Sequence, residues 1–269
     1  MAVKVDGGSP ILGTSVSVDM TTKNQINRQL AANIDADDQL RFDGDMDCKI
    51  NVNFVVRSND GGYGGLDFLL DEYNLTGQRQ FVVGVGGVSY NKCFVDNYSL
   101  TVKPFEPVVG SVTFSSYTHP STLAGATDET VNDDLSTNDV IYGHTCSLVN
   151  AGNVVSADVV NNISYNKTYS RTPVYTLGSS QATSQLIDAV EVDMNVDSTG
   201  LNSLINISGS KLADNFGVEL FDVDGSGIVN NSNNFHLTVS AGAHVISEGY
   251  SVNGGDTLVT KATIKEVIL

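Results

Sequence analysis

The sequence carries one set of landmarks twice, in the same order, and that repetition limits its architecture more than any other feature. Ser17-Val18-Asp19-Met20 answers to Ser156-Ala157-Asp158-Val159, at an offset of 156 − 17 = 139. Lys49-Ile50-Asn51-Val52-Asn53 answers to Glu191-Val192-Asp193-Met194-Asn195, and Gly65-Leu66 with Leu69-Leu70 to Gly200-Leu201 with Leu204-Ile205. Further on, Phe81–Gly87 lies opposite Val218–Gly225, Tyr98-Ser99-Leu100 opposite Tyr250-Ser251-Val252, and Val109–Phe114 opposite Val259–Ile264. The offset drifts, reaching 250 − 98 = 152 at the tyrosines, as loops of unequal length require, but the order never breaks. A repeat sets how many units share the chain, so it is read before any single element. It predicts a first domain over 1–120, a linker rich in Thr, Asp and Asn over 121–138, and a second domain over 139–269. A chain of 269 residues with 41% hydrophobic content has room for two packed cores.

Within each copy the dominant texture is short alternating stretches separated by Gly, Asn, Asp and Ser. Period-2 alternation puts one class of residue on each face of a strand. In Lys49–Arg57, Ile50, Val52 and Phe54 fall on one face and Asn51 and Asn53 on the other. In Ala189–Val196, Val190, Val192, Met194 and Val196 face inward while Glu191, Asp193 and Asn195 face out. Tyr98–Val102 and Ser111–Phe114 flank a turn that holds Pro104, Phe105, Glu106 and Pro107, and Phe235–Val239 and Asp256–Val267 continue the pattern. Helical spacing occurs at Gly65–Leu75, where Leu66, Leu69, Leu70 and Tyr73 share a face, and more weakly at Thr199–Ile207. The expectation is a mainly β protein of two tandem β-sandwich or split-barrel domains, each with one short helix.

The charge narrows the partners. A net charge of −17 and a pI near 4.3 repel phosphate, so the chain does not bind nucleic acid through its overall field. No apolar run approaches the roughly 18 residues a membrane-spanning helix needs. Met1–Gly8 lacks the apolar core of a signal peptide, which points to synthesis in cytoplasm. Cys48, Cys93 and Cys146 are odd in number and far apart, which argues against a disulfide framework and against zinc.

Chemistry-bearing motifs are absent or incomplete. Asp222-Val223-Asp224-Gly225-Ser226-Gly227 opens like a calcium loop, but its twelfth position is Asn233 where a bidentate acid belongs, so a Gly-rich turn is the better reading. Gly84-Val85-Gly86-Gly87 has no dinucleotide-binding spacing and reads as a turn as well. His119, His144, His236 and His244 show no metal-ligand spacing, and no Ser sits in a nucleophile elbow. No catalytic, cofactor-binding or metal-binding residues are predicted. Asp43, Asp45 and Asp47 alternate, so they share one strand face.

Two segments point to a family. Ile163-Ser164-Tyr165, then Arg171-Thr172-Pro173-Val174-Tyr175-Thr176-Leu177-Gly178-Ser179, then Val190-Glu191-Val192, resembles the hairpin region of tailed-bacteriophage tail tube proteins, where a Pro-Val-Tyr-x-Leu-Gly segment connects two long strands. Phe94–Val108, with Pro and Glu in its turn, resembles a strand-turn-strand of the same family. The first copy departs from the pattern, with Gln29-Leu30-Ala31-Ala32-Asn33 where the second has Pro-Val-Tyr.

The resemblance implies a virion structural protein that assembles with itself, inner strands of neighbouring subunits joining into a barrel around a DNA channel. With two copies per chain, it implies trimeric, pseudo-hexameric rings stacked into a tube, contacts to other tail proteins, and passage of DNA without specific binding. The lumen-facing candidates are Asp43, Asp45, Asp47, Glu191 and Asp193, with Asn51, Asn53 and Asn195 beside them. Met1–Gly13 and Thr260–Leu269 are candidates for contacting the next ring, although the apolar Val267-Ile268-Leu269 reads better as the end of a strand closing its own domain. The alternative is a β-sandwich binding module, a virion decoration or an adhesin that meets sugar rings with Tyr63, Tyr90, Tyr117 and Tyr142.

Overall fold

Alternation becomes strand nearly everywhere the chain is described. The structure is a computed structural model and describes residues 2–6, 11–22, 25–26, 41–42, 46–57, 66, 68–69, 79–118, 121–122, 140–150, 153–155, 160–177, 182, 184–199, 211–212, 214–223, 229–253 and 257–268. The first half holds β1 (Ala2–Val5), β2 (Ile11–Thr22), β3 (Gln25–Ile26), β4 (Arg41–Phe42), β5 (Met46–Val55), β6 (Phe81–Val85), β7 (Val88–Val102), β8 (Val109–Ser116) and β9 (Ser121–Thr122). The second holds β10 (Cys146–Asn150), β11 (Asn153–Val155), β12 (Val160–Val174), β13 (Ser184–Thr199), β14 (Phe216–Val223), β15 (Val229–Val239), β16 (His244–Asn253) and β17 (Thr257–Ile268). The protein is mainly β, as the alternation predicts.

Eight strands make one uninterrupted run, β2-β5-β8-β7-β12-β13-β17-β16, in which every neighbouring pair is antiparallel. The run is two groups of four with one topology. In each group an antiparallel pair comes first (β2–β5, β12–β13), its second strand pairs with the last strand of the group (β8, β17), and that strand pairs with the one preceding it in the chain (β7, β16). The groups meet where Ile163–Thr168 of β12 pair with Asn97–Val102 of β7.

Behind each group lies a second layer. In the first half Val88–Cys93 of β7 pair with β6, and β6 leads through β1 to the first residues of β2. These strands curl back on themselves, while the 11-stranded sheet as a whole stays open at β16. The hairpin β6–β7 turns on Gly86 (φ 55°) and Gly87 (φ 80°) between paired Val85 and Val88. Two successive positive φ angles are what a two-residue turn of this hand demands. In the second half a separate four-stranded sheet, β11-β10-β14-β15, supplies Phe216, Val218, Leu220, Leu237 and Val239 to the common hydrophobic core. The first half packs Phe68, Phe81 and Phe114 with ring centroids 5.5–6.5 Å apart, and the seam packs Tyr98 against Tyr165 at 5.8 Å.

Helix is nearly absent among the described residues. Of the segment predicted at Gly65–Leu75 only Leu66, Phe68 and Leu69 are described; Phe68 and Leu69 are helical and all three are buried. Thr199 ends β13, and the rest of the helix predicted at Thr199–Ile207 lies outside the described residues. The linker 121–138 also falls outside them, apart from Ser121 and Thr122 in β9.

Packing of the small sheet is tight enough to test. A Cβ on Gly217 would strike the Leu237 carbonyl oxygen and stand 2.7 Å from Thr238 Cα, both backbone atoms of the paired strand. Gly217→Val is expected to lower stability by about 1–3 kcal/mol in urea denaturation, the usual cost of overpacking. An unchanged midpoint would mean that β14 and β15 are not so closely apposed.

Candidate functional site

The side chains on one face of the eight-stranded run form a continuous polar surface. On β5 the even positions Cys48, Ile50, Val52 and Phe54 are buried, so Asp47, Lys49, Asn51 and Asn53 take the other face. Register carries that face across the run. Ser17, Asn51 and Thr113 stand in line on β2, β5 and β8, and Ser164, Asn195 and Thr263 stand in line on β12, β13 and β17.

Both lines are hydrogen-bonded the same way. The Asn51 amide donates to Ser17 Oγ at 3.4 Å, and Thr113 Oγ1 donates to Asn51 Oδ1 at 2.9 Å. The Asn195 amide donates to Ser164 Oγ at 3.3 Å, and Thr263 Oγ1 donates to Asn195 Oδ1 at 2.8 Å. At the seam Asn97 donates to Asn166 Oδ1 at 2.7 Å and to Thr168 Oγ1 at 2.9 Å, and the Ser99 and Ser111 hydroxyls meet at 2.8 Å. Cross-strand pairs of this kind contribute about 0.2–1 kcal/mol each. They also occupy hydroxyl and amide groups that would otherwise be free to grip a ligand.

The charges on this face are mixed. Asp19 stands opposite Lys49, and Asp197 opposite Lys261 with 3.7 Å between Oδ2 and Nζ. Lys265 Nζ donates to Glu191 Oε2 at 2.8 Å and lies 4.0 Å from Asp193 Oδ1. The Glu191 hydrogen bond and then the Asp193 charge hold the Lys265 ammonium above its ordinary range.

Of the predicted lumen candidates, Asp47, Glu191 and Asp193 share this face, Glu191 and Asp193 on one lysine. Asp43 and Asp45 lie outside the described residues. Lys261 and Lys265 were legible as the polar half of an alternating strand, but their pairing needed the register. The face therefore carries Asp19, Asp47, Glu191, Asp193 and Asp197 against Lys49, Lys261 and Lys265, a small acidic excess set among hydroxyls and amides.

The run ends in two open edges. From Ser15 to Thr22, β2 has β5 on one side and no strand on the other among the described residues. From Val245 to Asn253, β16 has only β17. An open edge presents unpaired N–H and C=O groups, which template pairing with another chain. Eight alternating strands make the two edge strands antiparallel, so rotation-related copies would set β16 of one against β2 of the next in the favoured sense.

The seam holds a buried cation. The Arg171 side chain on β12 is 2% exposed and donates from Nε (3.2 Å) and Nη2 (2.7 Å) to the Val95 carbonyl, where a bulge interrupts β7. Its guanidinium lies over the rings of Tyr169 and Phe94 and 3.7 Å from Asp96 Oδ1. Burial pushes the Asp96 carboxyl up, against a hydrogen bond from Ser115 and the charge of Arg171.

The remaining candidates scatter. Tyr90 is buried, contrary to its predicted role as an exposed aromatic, because β7 turns it into the first-half core. Tyr117 and Tyr142 are half-buried, and Tyr63 lies outside the described residues. Cys48, Cys93 and Cys146 are buried free thiols, which burial pushes up to about 11, 12 and 12. His144 stacks on Phe105 at 5.9 Å, His244 opens β16, and His119 lies outside the described residues, as does His236's side chain. Asp222 and Val223 end β14, and the rest of that acidic loop lies outside the described residues. Among the described residues no group of three His, Cys, Asp or Glu could hold a metal ion, and no helix is long and apolar enough to cross a membrane. No protein-family model matches this chain, and a search of curated proteins finds no similar sequence.

Proposed function

We propose that this chain is a structural virion protein of the tail tube type, three copies of which close a ring and whose rings stack into a channel for DNA. The observation that carries the reading is the open eight-stranded run itself: two groups of one topology, a shared polar face, and complementary edges at its ends. Closing a sheet into a barrel removes every edge, and a chain that supplies two nearly equivalent wedges gives sixfold-like closure with three subunits. Twenty-four strands from three chains, at about 4.8 Å spacing and about 40° tilt, make a barrel about 48 Å across at the backbone. Side chains on its inner surface leave room for a duplex.

The polar face suits that surface. Its acidic excess repels phosphate, and its hydroxyls and amides bond one another, so DNA slides without a site to stop it. In this reading the two groups belong to tandem tail-tube-like domains. The chain is made in the host cytoplasm, ends in the virion tail, meets other tail proteins at the tube's ends, and needs no catalysis or cofactor.

Negative-stain electron microscopy of the purified protein tests the reading. Stacked rings with a central hole are expected once the protein is concentrated. A dispersed monomer that never polymerises, and that binds immobilised glycans, would replace the tube by a binding module.

A further inference from the structure

The two ends of strand β12 differ in a complementary way. Past its last residue, Tyr175 and Leu177 are exposed, Leu177 fully, and Leu186 on the returning strand is 60% exposed. From Thr172 to Ile187 the sequence contains no charged residue. At the other end of the same strand, Val160 and Ile163 line a cavity of about 380 Å³ together with Val102, Phe105, His144 and Val218. No Asp, Glu, Lys or Arg lines it. In a chain of net charge −17, these are two uncharged apolar surfaces at opposite ends of one strand.

The cavity rim bears a mark of strain. Phe105 sits at φ 63°, a left-handed conformation that favours glycine, in the turn closed by Glu106 N–H to the Lys103 carbonyl at 3.3 Å. A bulky residue held there is strained. The strain holds a ring that is 82% exposed over the cavity mouth, stacked on His144. A partner seated on the cavity would cover that ring.

We infer that the apolar end of the β12–β13 hairpin of one copy, led by Leu177, seats in the Phe105–Val160 cavity of the next copy along the tube. This rests on the tube reading and adds the contact between rings. A head-to-tail contact between two different surfaces does not close on itself, so it propagates into a filament. The two surfaces flank β12, about one strand length apart, roughly 50 Å at 3.3 Å per residue, and the tilt of about 40° turns that into a rise of about 38 Å along the tube with a rotation of the next ring. The contact is uncharged on both sides, where copies so acidic repel least.

Leu177→Asp and Phe105→Gly separate the possibilities. Leu177→Asp should leave ring mass and thermal unfolding unchanged and shorten the tubes at least about tenfold, a charge replacing a buried leucine. Phe105→Gly should melt no lower than the parent, since the strain is relieved, yet also give short tubes. Tubes of parental length from both variants would overturn this contact and leave the ring reading standing. Loss of rings in Leu177→Asp would overturn it too, placing Leu177 within the ring. If the parent protein forms neither rings nor tubes, both readings fail.

Discussion

Arg171→Met is expected to lower stability by about 3–5 kcal/mol, because it leaves a buried polar group and a buried charge without their partner. Methionine keeps most of the volume over Phe94 and Tyr169 but donates nothing. The Val95 carbonyl, beside the bulge, loses both of its Arg171 donors, and Asp96 loses the stronger of the two cations that act on it. The loss should depend on pH. Burial already raises the folded Asp96 carboxyl above its unfolded range. A raised folded value gives stability that is present below the unfolded pKa and lost as pH rises through the folded one. Without Arg171 the folded value climbs further, so the variant should lose most near neutral pH and recover toward about pH 4. Urea denaturation at both pH values measures this, and Asp96→Asn in the same background should restore part of the loss. A loss below about 1 kcal/mol, with no pH dependence, would remove Arg171 from the account of the seam. Because Arg171 ties β12 to β7, the variant should also assemble poorly.

The second large effect concerns the open edge. Along β16 the N–H groups alternate, one toward β17 and the next outward. Gly249 and Tyr250, opposite Lys261 and Thr260, are consecutive and sit mid-strand. A Cβ on Gly249 meets nothing within 4 Å. Of Gly249→Pro and Tyr250→Pro, one removes a ladder bond within the chain and the other blocks only what would pair from outside. One variant is therefore expected to unfold more easily, and the other to keep the parental midpoint and fail to form rings. Sedimentation velocity beside thermal unfolding distinguishes them. Ring formation by both variants would show that β16 does not pair between copies.

Much of this was legible in the sequence, and what was not has physical reasons. The β class followed from alternation, as at Lys49–Arg57 and Ala189–Val196. Matching Val109–Phe114 with Val259–Ile264 set Thr113 on Thr263, the pair that the two hydrogen-bonded lines also equate. Matching Lys49–Asn53 with Glu191–Asn195 set Asn51 on Asp193, whereas the bonding equates it with Asn195. A period of two cannot distinguish a shift of two residues, since each side chain keeps its face. Ser17 was matched to Ser156, outside the described residues, while its bonded counterpart is Ser164. Asp193 and Glu191 were assigned to the polar face without Lys265, because cross-strand pairing depends on a register that spacing alone does not supply. The bulge at Val95 and the strained Phe105 leave no trace in a pattern of apolar and polar letters. The apolar end Val267-Ile268 completes β17 against Val190 and Glu191, the closing-strand reading.

Ring mass tests the central claim most directly. Native mass spectrometry of rings, released as single layers by Leu177→Asp, should give three chains of 28.5 kDa each. That result would mean that each chain supplies two wedges of the barrel. Rings of six chains would contradict it, leaving one group of four strands in each chain without a place in the wall.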